Sequence, residues 1–370
     1  MNPALTQISE DHDILSFTLS NINVSLANAI RRTILNDIPT VVLGTDIYQD
    51  NKCQIKVNTG RLHNELVKQR LSSIPVHISD EKEMETFPEE YVLVVDVKNE
   101  TDTMIVVTTE DFKIKQKDGD KFLSKDEVHA IFPPDPMTRD FIDFIRLRPR
   151  IGESIPGEQL TLTCEFSIMT AKTNGMYNVA SKCAYGNTPD IEKIEKAWEA
   201  QQEKLAEENQ TKEEIEFQKK NFYLLDAQRH FVADSFDFQL QTVGVFDNKV
   251  LIKKACHILR DLFVTMYKNL ESEVVPINTS LTTVENSFDI ILMDADYTVG
   301  KVLEYILYDK FFEGSKILSY CGFKKIHPHD SDSIIRIAYL EPTEKHLVKQ
   351  HLRDACSDAA EVFLKIDKMF

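Results

Sequence analysis

The sequence predicts an α+β protein in which two similar strand–helix units bracket a β-rich insertion. A Phe-led strand runs into a helix near each end of the chain, as LSFTLSNINVSLANAIRRTIL from Leu15 and as NSFDIILMDADYTVGKVLEYIL from Asn286. Between them, from Glu81 to Gly186, short β-rich runs alternate with Gly, Pro, Asn and Asp turns. A length of 370 residues suits two or three domains of this kind.

The first unit begins with a strand whose apolar residues Leu15, Phe17 and Leu19 alternate with hydroxyl side chains. This period of two indicates one buried face. We expect Ser25 to cap the helix that follows, because a serine hydroxyl can accept a first-turn N–H. The apolar stripe of this helix comprises Leu26, Ala29, Ile30, Ile34 and Leu35.

The chain then shows a second strand and a second helix. The segment TVVLGTDIYQ, residues 40–49, reads as a strand. Residues 61–78 contain an amphipathic helix that stops before Pro75.

Residues 190–229 differ in composition from the rest of the chain. They contain no Gly or Pro and are rich in Glu, Lys, Ala and Gln, which favours helix. Their apolar positions are sparse, so we predict a largely solvated charged helix with a break near Asn209–Thr211. A solvated face is the simpler interpretation, and an interaction arm is the alternative.

The C-terminal third returns to regular elements. The segment SFDFQLQTVGVF has strand periodicity, and a helix over 247–272 follows it. A second strand–helix unit has its helix beginning at Thr298, then two strands, and a long helix over 342–368 ends the chain.

Composition excludes several classes of protein. A net charge of −17 disfavours broad binding to a phosphate backbone. The six cysteines show no zinc-ligand spacing, and two thiols in the insertion, Cys164 and Cys183, cannot complete a tetrahedral site, so we expect free thiols and no zinc. The N-terminus lacks signal-peptide features and no apolar run is long enough for a membrane helix. We therefore expect a soluble intracellular protein without a membrane partner.

Motifs along the chain resemble the RNA polymerase alpha family, which includes bacterial alpha and the third-largest subunit of eukaryotic RNA polymerase II. SLANAIRRTILNDIPTVV resembles the family's dimerisation helix, and LHNELVKQRLSSIPVHI is similar to the helix that follows. PGEQLTLTCEF is similar to the strand that closes the family's insertion domain, and FDFQLQTVGVFD resembles the return to the dimerisation domain.

The C-terminal part is similar to the small partner of that subunit, the eleventh subunit. DYTVGKVL resembles the partner's helix start, and CGFKKIHPHDSDSIIRIAY resembles its Gly-Tyr, His-Pro and strand segment. The chain therefore looks like a fusion of the third and eleventh subunits, as in the polymerases of large cytoplasmic DNA viruses. For a viral source the expected locations are host cytoplasm and virion.

The resemblance implies a division of the chain. Two alpha-type dimerisation units would pack as an intramolecular pseudo-heterodimer, or swap between two chains. The implied parts are a third-subunit-like domain at 1–50 and 230–275, a β-rich insertion at 51–189, the charged helical segment at 190–229 and an eleventh-subunit-like domain at 276–370. The implied dimerisation residues are Phe17, Leu26, Ala29, Ile30, Thr298, Val299, Gly300, Val302 and Leu303.

The resemblance also implies partners. Arg31 and Arg32 would dock a large polymerase subunit, because arginine forks suit interface carboxylates; a solvated pair is the alternative. The matching position of the second unit is Glu304, where the family usually has arginine. The expected partners are the two largest subunits and small subunits resembling the tenth and twelfth, with DNA reached only through the polymerase.

No catalytic motif with its expected context is present, and the polymerase signature Asp-x-Asp-x-Asp is missing. We therefore expect an assembly platform that is not an enzyme by itself and takes no cofactor. One alternative is a dimerisation scaffold outside transcription. Another is a metal-dependent hydrolase that uses His327 and His329 with Asp294 and Asp296, although Pro328 between the histidines makes joint ligation awkward.

Overall fold

The computed structural model describes residues 1–45, 51–207, 210–281 and 283–370. The chain divides into two compact units. The terminal unit contains Met1–Thr33, Lys182–Gln241 and Ile252–Phe370. The central unit contains Ile34–Ser181 and Thr242–Leu251.

Both element types are present along the whole chain, which confirms the mixed α+β class. The α-helices of the described residues are α1 (Val24–Asn36), α2 (Asn64–Ser72), α3 (Glu81–Glu90), α4 (Lys125–Ile131), α5 (Ile191–Glu207), α6 (Lys212–Leu224), α7 (Asn248–Glu271), α8 (Tyr297–Leu307) and α9 (Lys345–Asp367). The strands are β1 (Ala4–Asp11), β2 (Ile14–Ser20), β3 (Thr40–Val42), β4 (Cys53–Asn58), β5 (Tyr91–Lys98), β6 (Ile105–Thr108), β7 (Lys113–Gln116), β8 (Asp143–Leu147), β9 (Gln159–Glu165), β10 (Ser167–Met169), β11 (Ala180–Pro189), β12 (Phe231–Thr242), β13 (Ile277–Thr279), β14 (Ser287–Leu292), β15 (Leu318–Lys324) and β16 (Ser333–Tyr339).

The terminal unit contains two four-stranded sheets. One has the order β1-β2-β12-β11, and the other has the order β13-β14-β16-β15. The alternation predicted for β2 is confirmed, since Leu15, Phe17 and Leu19 are buried. Phe17 stacks on Phe238 of β12, with ring centroids 5.0 Å apart, so the buried face continues across the sheet.

Strand β1 was not predicted from the sequence. It pairs antiparallel with β2 through a tight turn in which His12 and Asp13 have φ values of 44° and 63°. Two consecutive positive φ values are typical of a type I′ hairpin turn. Most of β1 is exposed, so its residues carry little of the apolar alternation that reveals β2.

The start of α1 differs from the prediction. The side chain of Asn23 accepts the backbone N–H of Ser25 at 2.9 Å, so Asn23 caps the helix and the assignment to Ser25 is wrong. Asn and Ser are almost equally good caps, and the sequence offers both within three residues. Of the predicted strand over 40–49, β3 is observed, and residues 46–50 lie outside the described residues.

The C-terminal helices are where the sequence placed them, with shifted ends. The carboxylate of Asp296 caps α8 by accepting the backbone N–H of Thr298 at 2.8 Å. A π-helical segment, Tyr308–Gly314, extends α8. Helix α9 begins at Lys345, three residues after Pro342.

The central unit is built on a four-stranded sheet of order β4-β9-β5-β7, with the two-stranded pairs β6-β8 and β10-β3 beside it. Rings of Phe112, Phe132 and Phe144 meet edge to face in its core. Helices α3 and α4 interrupt the β-rich run, and α3 forms because Asp80 caps its first turn.

Within the predicted charged segment, α5 and α6 form a helical hairpin, and the segment is less solvated than predicted. Helices α5 and α6 contact each other. Their few apolar side chains and Ala227 of the turn that follows share a small core comprising Ile194, Trp198, Leu205, Phe222 and Ala227. Thr211, one end of the predicted break, caps α6 in a reciprocal capping box with Glu214, and Asn209, the other end, lies outside the described residues.

Candidate assembly interface

Helices α1 and α8, one from each strand–helix repeat of the sequence, meet inside the terminal unit at Arg32. Its guanidinium lies 2.7 Å from a carboxylate oxygen of Asp296 and donates a second hydrogen bond of 2.9 Å to the Thr298 hydroxyl. Since Asp296 also caps α8, one carboxylate fixes the start of α8 and its contact with α1. The side chains of Arg32 and Asp296 are 29% and 34% exposed, so water only partly screens this pair.

The electrostatics of Asp296 agree with this geometry. Burial alone would raise the pKa of its carboxyl group. Hydrogen bonds from Thr298 and the charge of Arg32 outweigh the burial and hold the pKa of Asp296 below its ordinary value. The carboxylate is therefore ionised in the folded protein at neutral pH.

All of the predicted dimerisation residues are buried in the terminal unit. On β2 and α1 these are Phe17, Leu26, Ala29 and Ile30, and on α8 they are Thr298, Val299, Gly300, Val302 and Leu303. The ring of Phe370, at the C-terminal end of the chain, meets Phe17 edge to face at 5.0 Å. The sheet of the first strand–helix unit is thus in direct contact with the last residue of the second.

Gly300 has a specific neighbour. A Cβ atom built on it would lie 2.0 Å from the ring of Phe323, a residue of β15. This distance is far below a van der Waals contact, so the ring occupies the space of a side chain. The resemblance implied that Gly300 belongs to the dimerisation interface, and its close neighbour in the structure is an aromatic ring of its own strand–helix unit.

The predicted docking residues occupy different environments. Arg31 binds the side-chain oxygen of Asn28 through two nitrogens, each at 3.0 Å, whereas Arg32 binds Asp296 and Thr298. Glu304, at the equivalent position of the second unit, pairs with Lys301 and accepts the backbone N–H of Phe323 at 3.1 Å.

The long helices α7 and α9 supply a contact between residues that sequence analysis did not single out. The rings of Phe263 and Phe363 stack with centroids 5.9 Å apart. The guanidinium of Arg353 lies 4.5 Å from the centroid of the Tyr267 ring, a cation–π geometry, and also pairs with Glu271. The sequence predicted that the helices over 247–272 and 342–368 take part in the contact between the two halves, and these side-chain contacts lie between them.

Of the four residues suggested for a metal-dependent hydrolase, His327 and Asp296 use their side chains in other bonds, whereas His329 and Asp294 donate backbone N–H groups. A ring nitrogen of His327 accepts the backbone N–H of His329 at 3.1 Å, within a surface turn closed by Asp330. Asp296 binds Arg32, and Asp294 binds Asp332 through its backbone N–H. Within residues 1–45, 51–207, 210–281 and 283–370, no three His, Cys, Asp or Glu side chains are grouped to hold a metal ion.

The cysteines are free thiols, and five of the six are buried. Cys53 and Cys164 face each other across β4 and β9. Burial raises the pKa of Cys183 and of Cys356 to about 12, so neither thiol is reactive at neutral pH.

In the part of the chain that the structure describes, no helix combines the length and the apolar character needed to cross a lipid bilayer.

Comparison with known proteins agrees with this architecture. Two of the relatives that match this chain do so over short segments. DNA-directed RNA polymerases IV and V subunit 3B of Arabidopsis thaliana is 36% identical over 64 residues, which are 17% of this chain and 18% of the relative. DNA-directed RNA polymerase subunit Rpo3 of Pyrococcus furiosus is 32% identical over 69 residues, which are 19% of this chain and 24% of the relative. The matched segments thus span less than a quarter of either relative.

A family model covers much more of the chain. Residues 16–263, well over half of the sequence, match the RNA polymerase Rpb3/Rpb11 dimerisation domain. The matched range begins in β2 and ends in α7, and it includes the central unit and the helical hairpin. The chain therefore belongs to the RNA polymerase Rpb3/Rpb11 dimerisation-domain family.

Proposed function

We propose that this chain is a non-catalytic assembly subunit of a multi-subunit DNA-dependent RNA polymerase, on which the two largest subunits dock. The observation that carries the proposal is the family match over residues 16–263. Both named relatives are subunits of DNA-directed RNA polymerases, which supports the same assignment.

We further propose that the chain combines both members of a third-and-eleventh-subunit pair. Elements from both ends of the sequence belong to one compact unit. The Arg32–Asp296 pair and the Phe17–Phe370 contact connect them there. Covalent linkage would replace a bimolecular association with an intramolecular one at high effective concentration. On this proposal, residues 1–50 with 230–275 and residues 276–370 are the two halves, 51–189 the insertion and 190–229 an added segment.

Each half would have its own large partner. The half containing α1 would favour the second-largest subunit, through Arg31 and Arg32, and the half containing α8 the largest subunit. Arg32 also holds Asp296, so its replacement would affect both folding and docking. Among the described residues, the hydrogen bonds of the Arg31 side chain go to the neighbouring Asn28, so Arg31 tests docking more cleanly. Small subunits resembling the tenth and twelfth complete the proposed set of partners, and DNA is contacted only through the polymerase.

The test is co-expression of the tagged chain with the two largest polymerase subunits of its source, followed by affinity capture and native mass measurement. One copy of each subunit supports the fused platform. Two copies of this chain per complex would mean that the halves pair between chains. Capture of neither large subunit would contradict the polymerase assignment and favour a dimerisation scaffold outside transcription.

A charge-reversed variant locates the docking surface. Arg31→Glu should reduce capture of the second-largest subunit, while Arg229→Glu, which reverses an exposed arginine of the helical hairpin, should not. Equal capture by both variants would contradict the role of Arg31. Thermal melting of each variant separates a docking defect from a folding defect.

A further inference from the structure

A groove of about 560 Å³ on the central unit concentrates positive charge in a protein whose net charge is −17. Four arginines line it, together with two carboxylates: Arg61, Arg70, Arg146, Arg148, Asp143 and Glu158. The groove lies between the two-stranded pair β6-β8 and a surface formed by Arg61 and Leu62, which precede α2, and Arg70 of its last turn. None of its lining residues takes part in the α1–α8 contact described above. It is not used by the proposed assembly function.

The arginines are held in place without being fully neutralised. Arg70 donates to the backbone carbonyls of Phe144 and Asp143, at 2.7 and 2.8 Å, so its charge has no carboxylate partner there. Arg146 lies 3.7 Å from Asp143 and its side chain is 65% exposed. Arg61 forms no ion pair with any carboxylate among the described residues.

Arg148 shows how the groove binds a carboxylate. Its side chain pairs with the buried carboxylate of Glu158, and its backbone N–H donates to the same group at 2.8 Å. Burial of Glu158 opposes ionisation, but the hydrogen bonds and charge of Arg148 outweigh it, so the pKa of Glu158 is lowered. Arg61 adds a further favourable charge toward the same carboxylate.

Apolar side chains alternate with the arginines on the open face of the β6-β8 pair. Val106 is directly opposite Arg146, and Met104 and Arg148, each one residue beyond the paired segment, also line the groove. Met104 is 55% exposed and Val106 is 39% exposed. The groove therefore offers guanidinium forks and apolar contacts side by side.

We propose that this groove docks an acidic segment of another protein whose apolar side chains contact Met104 and Val106. Arginine forks match carboxylates in a bidentate geometry, and Leu62 with the two exposed residues supplies a surface for apolar side chains. A nucleic-acid backbone fits less well. Asp143, Glu158 and the negative net charge would repel phosphates and carboxylates alike, so charge does not separate the two ligands. The apolar residues do, because Met104 and Val106 would have no apolar counterpart on a nucleic-acid backbone.

The experiment measures fluorescence anisotropy of labelled probes titrated with the full chain. The probe is a peptide in which glutamate alternates with leucine, compared with the same peptide carrying lysine for glutamate and with a single-stranded oligonucleotide of equal length. The proposal expects saturable binding of the glutamate peptide only. This binding should weaken as NaCl is raised from about 0.05 M to about 0.5 M.

A matched pair of variants ties the binding to the groove. The double change Arg61→Glu and Arg146→Glu should weaken binding of the glutamate peptide at least about tenfold. Lys56→Glu with Lys82→Glu makes the same change in net charge at exposed positions of the central unit outside the groove, and should leave the affinity within about twofold. Circular dichroism melting checks that both variants are folded.

Three outcomes would overturn the proposal. Equal affinity for the glutamate and lysine peptides would show that the arginines of the groove do not select an acidic ligand. Preferential, groove-dependent binding of the oligonucleotide would make the site a phosphate-binding surface. Self-association of the free chain in sedimentation velocity, abolished by the Arg61 and Arg146 changes, would assign the groove to a second copy of this chain.

Discussion

The guanidinium of Arg32 in α1 lies 2.7 Å from the carboxylate of Asp296, the residue that caps α8, although the two are 264 positions apart in the chain. This pair connects the two strand–helix units that the sequence displays as a repeat. Asp296 has two roles at once, because it accepts the Thr298 N–H and neutralises Arg32.

A double-mutant cycle on this pair should reveal coupling between the two helices. Arg32→Ala and Asp296→Asn should each lower the free energy of unfolding by about 1–2 kcal/mol, since each breaks a partly buried charged hydrogen bond. The double variant should lose less than the sum of the two, by about 1 kcal/mol. Urea unfolding measures all four proteins. Arg31→Ala is the control and should cost less than about 0.5 kcal/mol; strict additivity of the pair would contradict a direct interaction.

Replacement of Gly300 by alanine should destabilise the protein, although alanine favours helix. The added Cβ would lie 2.0 Å from the Phe323 ring, and such overpacking costs about 1–3 kcal/mol. The measurement is the shift in thermal midpoint. Gly186→Ala serves as the control, because an added Cβ there would meet no described residue within 4 Å apart from its neighbours in the chain. Combination with Phe323→Leu should recover part of the loss, and an unchanged Gly300→Ala protein would contradict the packing argument.

We expect the buried ring of His351 to make the folded protein less stable in mild acid. Its ring is buried, bonds the Tyr339 hydroxyl at 2.9 Å and contacts Phe311, and burial lowers its pKa below 6.5. The unfolded chain therefore takes up a proton first as the pH falls below 6.5. The free energy of unfolding therefore falls with decreasing pH, by at most about 1.4 kcal/mol per pH unit. The fall ends once the pH is below the lowered pKa of His351 in the folded protein.

Urea midpoints at about pH 7.5, 6.5 and 5.5 test this. The His351→Gln variant should be less stable than the unmodified chain at neutral pH, but its urea midpoint should fall less as the pH is lowered. His346→Gln, at an exposed position of the same helix, should retain the full decline. The same decline in the His351→Gln variant would assign the acid sensitivity to other groups.

The helical hairpin should be removable without loss of the remaining fold. Its ends are adjacent, because the N–H of Asp190 donates to the carbonyl of His230 at 3.0 Å, and its apolar residues form their own core. Replacement of residues 191–229 by a short Gly-Asn link should leave the thermal midpoint within a few degrees of that of the unmodified chain. A shift of this size corresponds to about 1 kcal/mol of unfolding free energy. Calorimetry measures this, and an insoluble or unfolded product would show that the hairpin supports the terminal unit.

The sequence predicted the elements better than their partners. Strand β2 was identified because Leu15, Phe17 and Leu19 alternate, which is a local property of a half-buried strand. Helix α8 was identified from its apolar spacing. In contrast, β1 was missed because its residues are mostly exposed, and the cap of α1 was assigned to Ser25 instead of Asn23 because both residue types suit that position.

At the candidate site, too, the sequence indicated which residues are buried but did not identify their side-chain partners. Leu26 and Ile30 belong to the apolar stripe that the helical period predicted for α1, and both are buried. Val302 and Leu303, which are also buried, were named through the family resemblance. Arg32 was singled out only for docking, and its bond to Asp296 could not be read from local spacing. The cation–π contact of Arg353 with Tyr267 was missed for the same reason.

By itself, the sequence determined the α+β class, the repeat of strand and helix at the two ends, and the resemblance to the polymerase family. These depend on residue order and short-range periodicity. Only the tertiary structure decided that Arg32 binds Asp296, that Phe323 occupies the space beside Gly300, and that sparse apolar residues between 190 and 229 form a core. Such contacts depend on which surfaces meet after the chain folds, because a side chain's partner is selected by distance in space and not by separation along the sequence.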